Sequence, residues 1–213
     1  SSYAIGHSAV AVSQVRDEVE RMRDMVGKNI SAAFDTLISY DDKLRQKVGE
    51  REEYIDYLNK GISEYIVSLM ASEMSMDDSR KINGYYSIVS NLERIADHAV
   101  NIAEYADDMK KWDLQFSDNV LEELGEMKKQ CMASLDTIKE VTSENADDVL
   151  KQAAAMEQKN DNMRDKYFKK QMQRLKKGKC KPQSGIVFSE ILTDFERMGD
   201  HVLNIAQEYK EME

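Results

Sequence analysis

The sequence predicts an all-α protein built as two tandem three-helix bundles of long antiparallel helices, and three observations carry that expectation. Turn formers are scarce: the 213 residues include 9 Gly and a single Pro, where an average soluble chain would carry roughly 25 of the two together. A β-rich fold needs many turn residues with special backbone angles, so it is excluded. Apolar residues recur at spacings of three and four along nearly the whole chain, the period of an amphipathic helix. A polar motif in the first half then returns in the second.

The elements follow in order. Val12, Val15, Val19, Met22, Val26, Ile30, Ala33 and Leu37 trace one stripe of a long first helix, which Asp41 and Asp42 end. A second helix covers about 43–74, with Val48, Ile55, Leu58, Ile62, Ile66 and Leu69 as its stripe. Asp77, Asp78 and Ser79 open a third, to about 110, because acidic residues suit the positive end of the helix dipole. A fourth spans about 116–141 and a fifth about 145–177. Residues 178–185, with Pro182, are the one strong loop before a sixth helix that runs to the C-terminus. Helices averaging about 30 residues are long for a globular protein and argue for bundles.

The second half repeats the first. The run LERIADHAVNIAE at 92–104 matches FERMGDHVLNIAQ at 195–207 at an offset of 103, with 7 of 13 residues identical. One helix earlier, Glu52, Asp56, Leu58 and Ile62 meet Glu157, Asp161, Met163 and Tyr167 at an offset of 105. Val15, Val19, Met22, Val26 and Ile30 meet Val120, Leu124, Met127, Cys131 and Leu135 at that same offset. Helical periodicity alone could mimic the apolar matches, but it does not supply a repeated E-R-x-x-D-H-x-x-N-I-A. The repeats are expected to occupy residues 1–110 and 111–213.

Composition narrows the function. With 41% hydrophobic and 33% charged residues, the chain can bury a core yet is too charged for a membrane protein as it stands. The longest uncharged run, residues 1–15, falls short of the roughly 18 needed to span a bilayer, and no secretory signal is visible. Cys131 and Cys180 make no CxxC pattern, which excludes a disulfide framework and a zinc-thiolate site. Cys131 falls in an apolar row as a small core residue. A reducing, cytoplasmic setting is expected. The chain opens with Ser rather than Met, as a processed protein or a piece of a longer one would.

The candidate chemistry lies in rows of carboxylates. Glu93, Asp97 and Asn101 stand at i, i+4 and i+8, near 0°, 40° and 80° around the third helix at about 100° per residue. Ile95, Ala96, Ala99, Val100, Ile102 and Ala103 fill the sector from about 180° to 340°, so the polar row borders the buried face. Glu52 and Asp56 flank the second helix's stripe in the same way. Reversing one helix of an antiparallel pair brings two such rows to one side. Glu52, Asp56, Glu93 and Asp97 should therefore line one edge of the first unit, and Glu157, Asp161, Glu196 and Asp200 one edge of the second, with Asp165 continuing it. Crowded carboxylates repel unless protons or cations neutralise them. Hard oxygen ligands of this kind suit iron, manganese, magnesium or calcium.

The competing explanation is a solvated helix edge with Arg94 and Arg197 as ion-pair partners. Recurrence on two helices and in both halves counts against it. His98 and His201 lie about 100° round from the preceding Asp, so they are expected at the surface or as hydrogen-bond supports rather than ligands; His7 has no context. A ferritin-like di-metal site wants Glu-x-x-His pairs, and neither Glu93 nor Glu196 has one. No Gly-rich phosphate loop, nucleophile elbow or Ser-His-Asp set is found, so catalysis is not expected.

Residues 166–181 hold eight basic residues and no acidic one, leaving the rest of the chain at −18 against a whole-chain net charge of −10. Cations complementing a helix C-terminus explain this most simply. Contact with anionic lipid headgroups or an acidic partner is the functional alternative. No nucleic-acid partner is expected of so acidic a chain.

The repeated element, most specific at Glu93-Arg94-Ile95-Ala96-Asp97-His98 and Glu196-Arg197-Met198-Gly199-Asp200-His201, resembles the PhoU family of phosphate-uptake regulators over nearly the whole chain. The resemblance implies a non-enzymatic regulator of phosphate transport whose E-x-x-x-D motifs bind metal on the bundle surface. The ligands would then be Glu93, Asp97, Glu196 and Asp200, with Glu52, Asp56, Glu157 and Asp161 as partners. Iron is the first expectation among the metals, with manganese, magnesium, calcium or zinc as alternatives.

PhoU-like domains occur free-standing and as the cytosolic part of sodium/phosphate cotransporters. Residues 9–25, with Glu20-Arg21-Met22, resemble the stretch that follows the membrane part of the latter. With the missing initiator Met, this favours an excised cotransporter domain at the cytosolic face of the membrane. A free-standing regulator working with an ABC phosphate transporter and its sensor kinase is the alternative. A metal-storage or di-metal bundle enzyme and a structural coiled coil are the readings from other classes. The partner is then a membrane phosphate transporter, in the same chain or a separate one, with association into a homo-oligomer open. Asn160 where the first unit has Ile55, and Gln207 where it has Glu104, imply a more polar or differently occupied second site.

Overall fold

The helices of the computed structural model are α1 (Ser2–Ile38), α2 (Asp42–Met70), α3 (Met76–Lys111), α4 (Asp118–Thr137), α5 (Ala146–Lys176) and α6 (Pro182–Glu211). The structure describes residues 2–213, with side chains from residue 7 onward. Short polar side chains start three of the helices: Asp41, Ser75 and Ser117 accept hydrogen bonds from the backbone N–H of Leu44, Asp78 and Val120.

Several boundaries differ from the sequence reading, each for a local reason. α3 begins before the acidic run because Ser75 is the cap and Asp77 and Asp78 form its first turn. α4 stops at Thr137 rather than near 141. Beyond it Glu140 takes φ 53°, and the Asn145 side chain accepts from Thr142 N at 2.8 Å and donates to Glu140 O at 3.3 Å, bracing the turn. The loop over 178–185 is shorter than expected, since Pro182 occupies the first turn of α6, where its missing N–H costs nothing. Gly178, at φ 65°, closes α5 with Lys179 N donating to Arg174 O at 2.9 Å.

α1, α2 and α3 pack on one another, as do α4, α5 and α6. α3 against α6 and α1 against α4 then join the two triplets. The predicted stripes are buried apart from Val12, which is partly buried against them, and their residues form one continuous core through both triplets, with Phe34, Phe188 and Phe195 among its largest members. Cys131 is buried in it, as expected. Among the described residues no helix is long and apolar enough to cross a membrane.

The seam between α3 and α6 has a polar centre that the sequence reading missed. Asp194, 5% exposed, lies with Oδ1 2.6 Å from His98 Nδ1, and the same oxygen accepts from Asn101 Nδ2 at 3.2 Å. Its Oδ2 accepts from Tyr105 at 2.7 Å. The His98 and His201 rings stack with centroids 5.5 Å apart. The repeat relates Asp194 to Asn91, and Asn91 receives a long contact of 3.5 Å from Asn204. His98 is therefore an interface residue and not a surface one. Asn101 likewise turns away from the carboxylate row into the seam.

Candidate metal centres

In the first unit α2 and α3 carry their carboxylates along a shared edge, with Glu52 and Glu93 partly buried and Asp56 and Asp97 exposed. Burial, then the charges of Asp56 and Asp97, push the Glu52 carboxyl up to about 7. Burial, Asp97 and Asp56 do the same to Glu93, also to about 7, with a hydrogen bond between Glu93 and Asp56 that needs a proton. Asp97 is raised by burial and by Asp56. Each α2 carboxylate thus faces α3 carboxylates. Glu93 Oε2 is buried without a hydrogen-bond partner, an acceptor that a cation would satisfy.

The second unit repeats the edge between α5 and α6. Glu157, Asp161 and Asp200 each offer an oxygen, all within 4.8 Å of one another. Glu157 is pushed up to about 7 by burial, by a hydrogen bond with Asp161 and by the charges of Asp161 and Asp200. Burial and Glu196 raise Asp200. Three carboxylates this close, held on two rigid helices, are the donor set a hard cation takes.

Glu196 is placed differently from the expectation. Arg164 Nε lies 2.9 Å from Glu196 Oε2, an ion pair whose angle does not make a hydrogen bond. Arg164 is the cation paired with Glu196, and Arg197 lowers Asp200 by less than burial, Glu196 and Asp161 raise it. Asp165, one turn beyond Asp161, has a well-exposed side chain 3.3 Å from Arg164. His201 stands at the seam beside His98, with Nδ1 unpartnered. Burial, then His98, Arg94 and Arg197, push it down to about 4.

Asn160 carries the polarity difference between the units. It is 1% exposed, and neither amide atom has a partner. Its amide sits against Gly199, where any Cβ would collide with it; Ile55 and Ala96 occupy the equivalent core positions of the first unit. A buried unsatisfied amide costs about 1–3 kcal/mol. Asn160→Leu, of similar size, is expected to stabilise the metal-free protein by about 1–2 kcal/mol in denaturant unfolding. An unchanged or lower stability would mean that a bound water or ion already satisfies the amide.

The basic stretch is partly consumed inside the molecule. Arg174 donates through both terminal nitrogens to Glu123, at 2.8 and 2.9 Å, with both side chains largely buried. Lys166, Lys170, Lys177 and Lys179 line a cleft of about 740 Å³ together with Glu122 and Glu126.

Known proteins share this architecture and sequence pattern. The PhoU domain matches residues 19–106 and again 124–209. The accessory protein PhoU homolog 1 of the phosphate-specific transport system of Thermotoga maritima is 26% identical over 204 residues, covering 95% of this chain and 87% of that protein. The corresponding PhoU homolog of Clostridium acetobutylicum is 24% identical over 202 residues, covering 92% and 89%. The crystal structure of PhoU from Pseudomonas aeruginosa superposes with a TM-score of 0.86 at 22% identity, covering 96% of this chain and 97% of that one. The phosphate transport system regulatory protein PhoU from Streptococcus pneumoniae gives 0.81 at 20% identity, covering 96% of each. The structural likenesses establish the fold, and the two domain matches establish the family: the chain belongs to the PhoU family of regulatory accessory proteins, with two PhoU domains in tandem.

Proposed function

We propose that the chain is a regulatory accessory protein of phosphate-specific transport whose two carboxylate rows hold hard metal ions. The accessory role is supported by relatives named for it that the chain spans nearly end to end. This favours the alternative over the leading expectation of a cotransporter's cytosolic domain. The observation that carries the metal reading is the convergence of Glu157, Asp161 and Asp200 within 4.8 Å; Glu52, Asp56, Glu93 and Asp97 of the first unit feel one another's charge along the equivalent edge but, among the described residues, do not close to that spacing. Glu196 joins the second set by releasing Arg164. Iron is the first candidate, with manganese, magnesium, calcium and zinc behind it. The functional units are the repeats at 1–110 and 111–213.

The residues divide the work simply. The rows stand on long helices that share one core, so Glu52, Asp56, Glu93 and Asp97, or Glu157, Asp161, Glu196 and Asp200, would hold a cation from both helices of a pair and restrain their splay. When bound, the metal supplies positive charge that offsets the crowded carboxylates. A transporter partner would then read a surface whose charge and rigidity depend on metal. Deleting the chain should change phosphate uptake by the host cell, and a variant with Asp97→Asn and Asp200→Asn should reproduce the deletion while remaining folded. Normal regulation by that variant would remove metal from the function.

The exposed part of the basic stretch, with Lys169, Lys176 and Lys181, is the surface for contact with anionic lipid. Binding to vesicles of anionic lipid should fall steeply with added salt. Equal binding to neutral vesicles would refute the electrostatic contact.

A further inference from the structure

Each unit has a groove between its first and second helices, and the two grooves are built on equivalent positions. The α1/α2 groove encloses about 820 Å³ and the α4/α5 groove about 740 Å³. Asp17, Glu18, Gly61 and Tyr65 of the first correspond, at the offset of 105, to Glu122, Glu123, Lys166 and Lys170 of the second. Both grooves thus have an acidic wall from their first helix. The second neutralises its own: Arg174 pairs with Glu123, and Lys166 and Lys170 stand opposite. The first has Leu69 where Arg174 stands and no lysine at the other two positions.

The wall facing Asp17 and Glu18 is aromatic and open. Tyr57 is 72% exposed and stacks on Tyr54 at 6.3 Å between centroids. Two bridges between the helices close the ends, Arg21 to Tyr54 at 3.4 Å and Tyr65 to Gln14 at 3.1 Å. Between them lies Gly61, with nothing within 4 Å of where a Cβ would stand. A mid-helix Gly costs up to about 1 kcal/mol relative to Ala, and Lys166 shows that the fold accepts a long side chain at this position. The absent side chain leaves room for something to approach the α2 backbone. Asp17, Glu18 and Glu64 line the groove with Lys60 as the one cation among the lining residues, while Arg21 at its end stands close enough to Glu18 to feel its charge. Arg16 touches Asp17 only through an exposed contact of 3.8 Å.

We propose that the α1/α2 groove is the docking site for a basic amphipathic helix of a partner protein. Its Arg or Lys side chains pair with Asp17, Glu18 and Glu64 and lie over the Tyr57 ring, and a small apolar side chain seats above Gly61. From Tyr54 to Tyr65 the groove runs about 16 Å at 1.5 Å per residue, room for three helical turns. The unit-two groove, with its lysines in place, does not take such a ligand.

The test is a titration of the full chain against a fluorescent 15-residue helical peptide with Arg, Leu and Ala on one face, and against a second peptide with Glu for each Arg. Saturable one-to-one binding of the Arg peptide is expected, at least tenfold weaker for Gly61→Lys and for Tyr57→Ala, unchanged for Asp97→Asn with Asp200→Asn, and absent for the Glu peptide. Circular dichroism checks that each variant is folded, and Tyr57→Ala carries the result if Gly61→Lys is not. No saturable binding overturns the proposal. So does binding that fails only in the Asp97→Asn, Asp200→Asn variant, which would place the peptide on the carboxylate rows. Concentration-dependent self-association lost in Gly61→Lys would assign the groove to a second copy of this chain and overturn it as well.

Discussion

Asp194→Ala should cost the protein about 3–5 kcal/mol, and lower Tm by roughly 10 °C at this chain length. The carboxyl group sits at the seam of α3 and α6 and gathers His98, Asn101 and Tyr105 from the opposite helix. Truncation leaves three part-buried polar groups of α3 without the carboxylate that gathers them, and each loses a hydrogen-bond partner at the seam. Asp194→Asn should cost less, because it reproduces what Asn91 does at the equivalent place. Equilibrium unfolding of both variants checks the order. An Ala variant as stable as the native chain would show that the apolar contacts flanking the seam hold the units together without this cluster.

The metal-free protein should become less stable as pH rises from about 4.5 to about 7. Glu52, Glu93 and Glu157 are pushed up to about 7 when folded, whereas the unfolded chain releases those protons near the ordinary glutamate value of about 4.5. Across that window the folded state holds more protons than the unfolded one, so stability falls with rising pH. Asp97 and Asp200 act in the same direction. His201 opposes them: pushed down to about 4 when folded, it loses stability as pH falls from about 6.5. One imidazole against at least three carboxyls leaves the net slope negative, and above about 6.5 the carboxyls act without opposition. Thermal melts in chelator at pH 5 and pH 7.5 should therefore give the higher Tm at pH 5. Glu93→Gln with Glu157→Gln should flatten the difference. Bound metal should reverse it, since cations bind the deprotonated rows.

Most of the fold is legible in the sequence because long amphipathic helices announce themselves by period, and the repeat fixes which helices correspond. Boundaries were less so where a single residue decides them, as at Ser75 and Pro182. The rows were legible because both helices of each pair carry the same E-x-x-x-D spacing beside the buried stripe. What sequence could not show is which long side chain takes which partner: Arg164 reaches Glu196, and Asn101 leaves the row. The seam was hidden for a different reason. His98, Asn101 and Tyr105 fall at i, i+3 and i+7, a stripe visible in the sequence, but their partner Asp194 lies 96 residues from His98 and breaks the repeat's symmetry, since its counterpart is Asn91.

Metal retained after purification decides whether the paired rows hold it. The folded chain is to be loaded with iron or manganese, freed of excess and analysed for metal by mass spectrometry, beside the Asp97→Asn, Asp200→Asn variant treated identically. Stoichiometric metal in the native chain, a Tm raised by mass action, and loss of most of both in the variant are expected. A native chain that keeps no stoichiometric metal, or a variant that keeps as much, would contradict the account and return the rows to solvated helix edges.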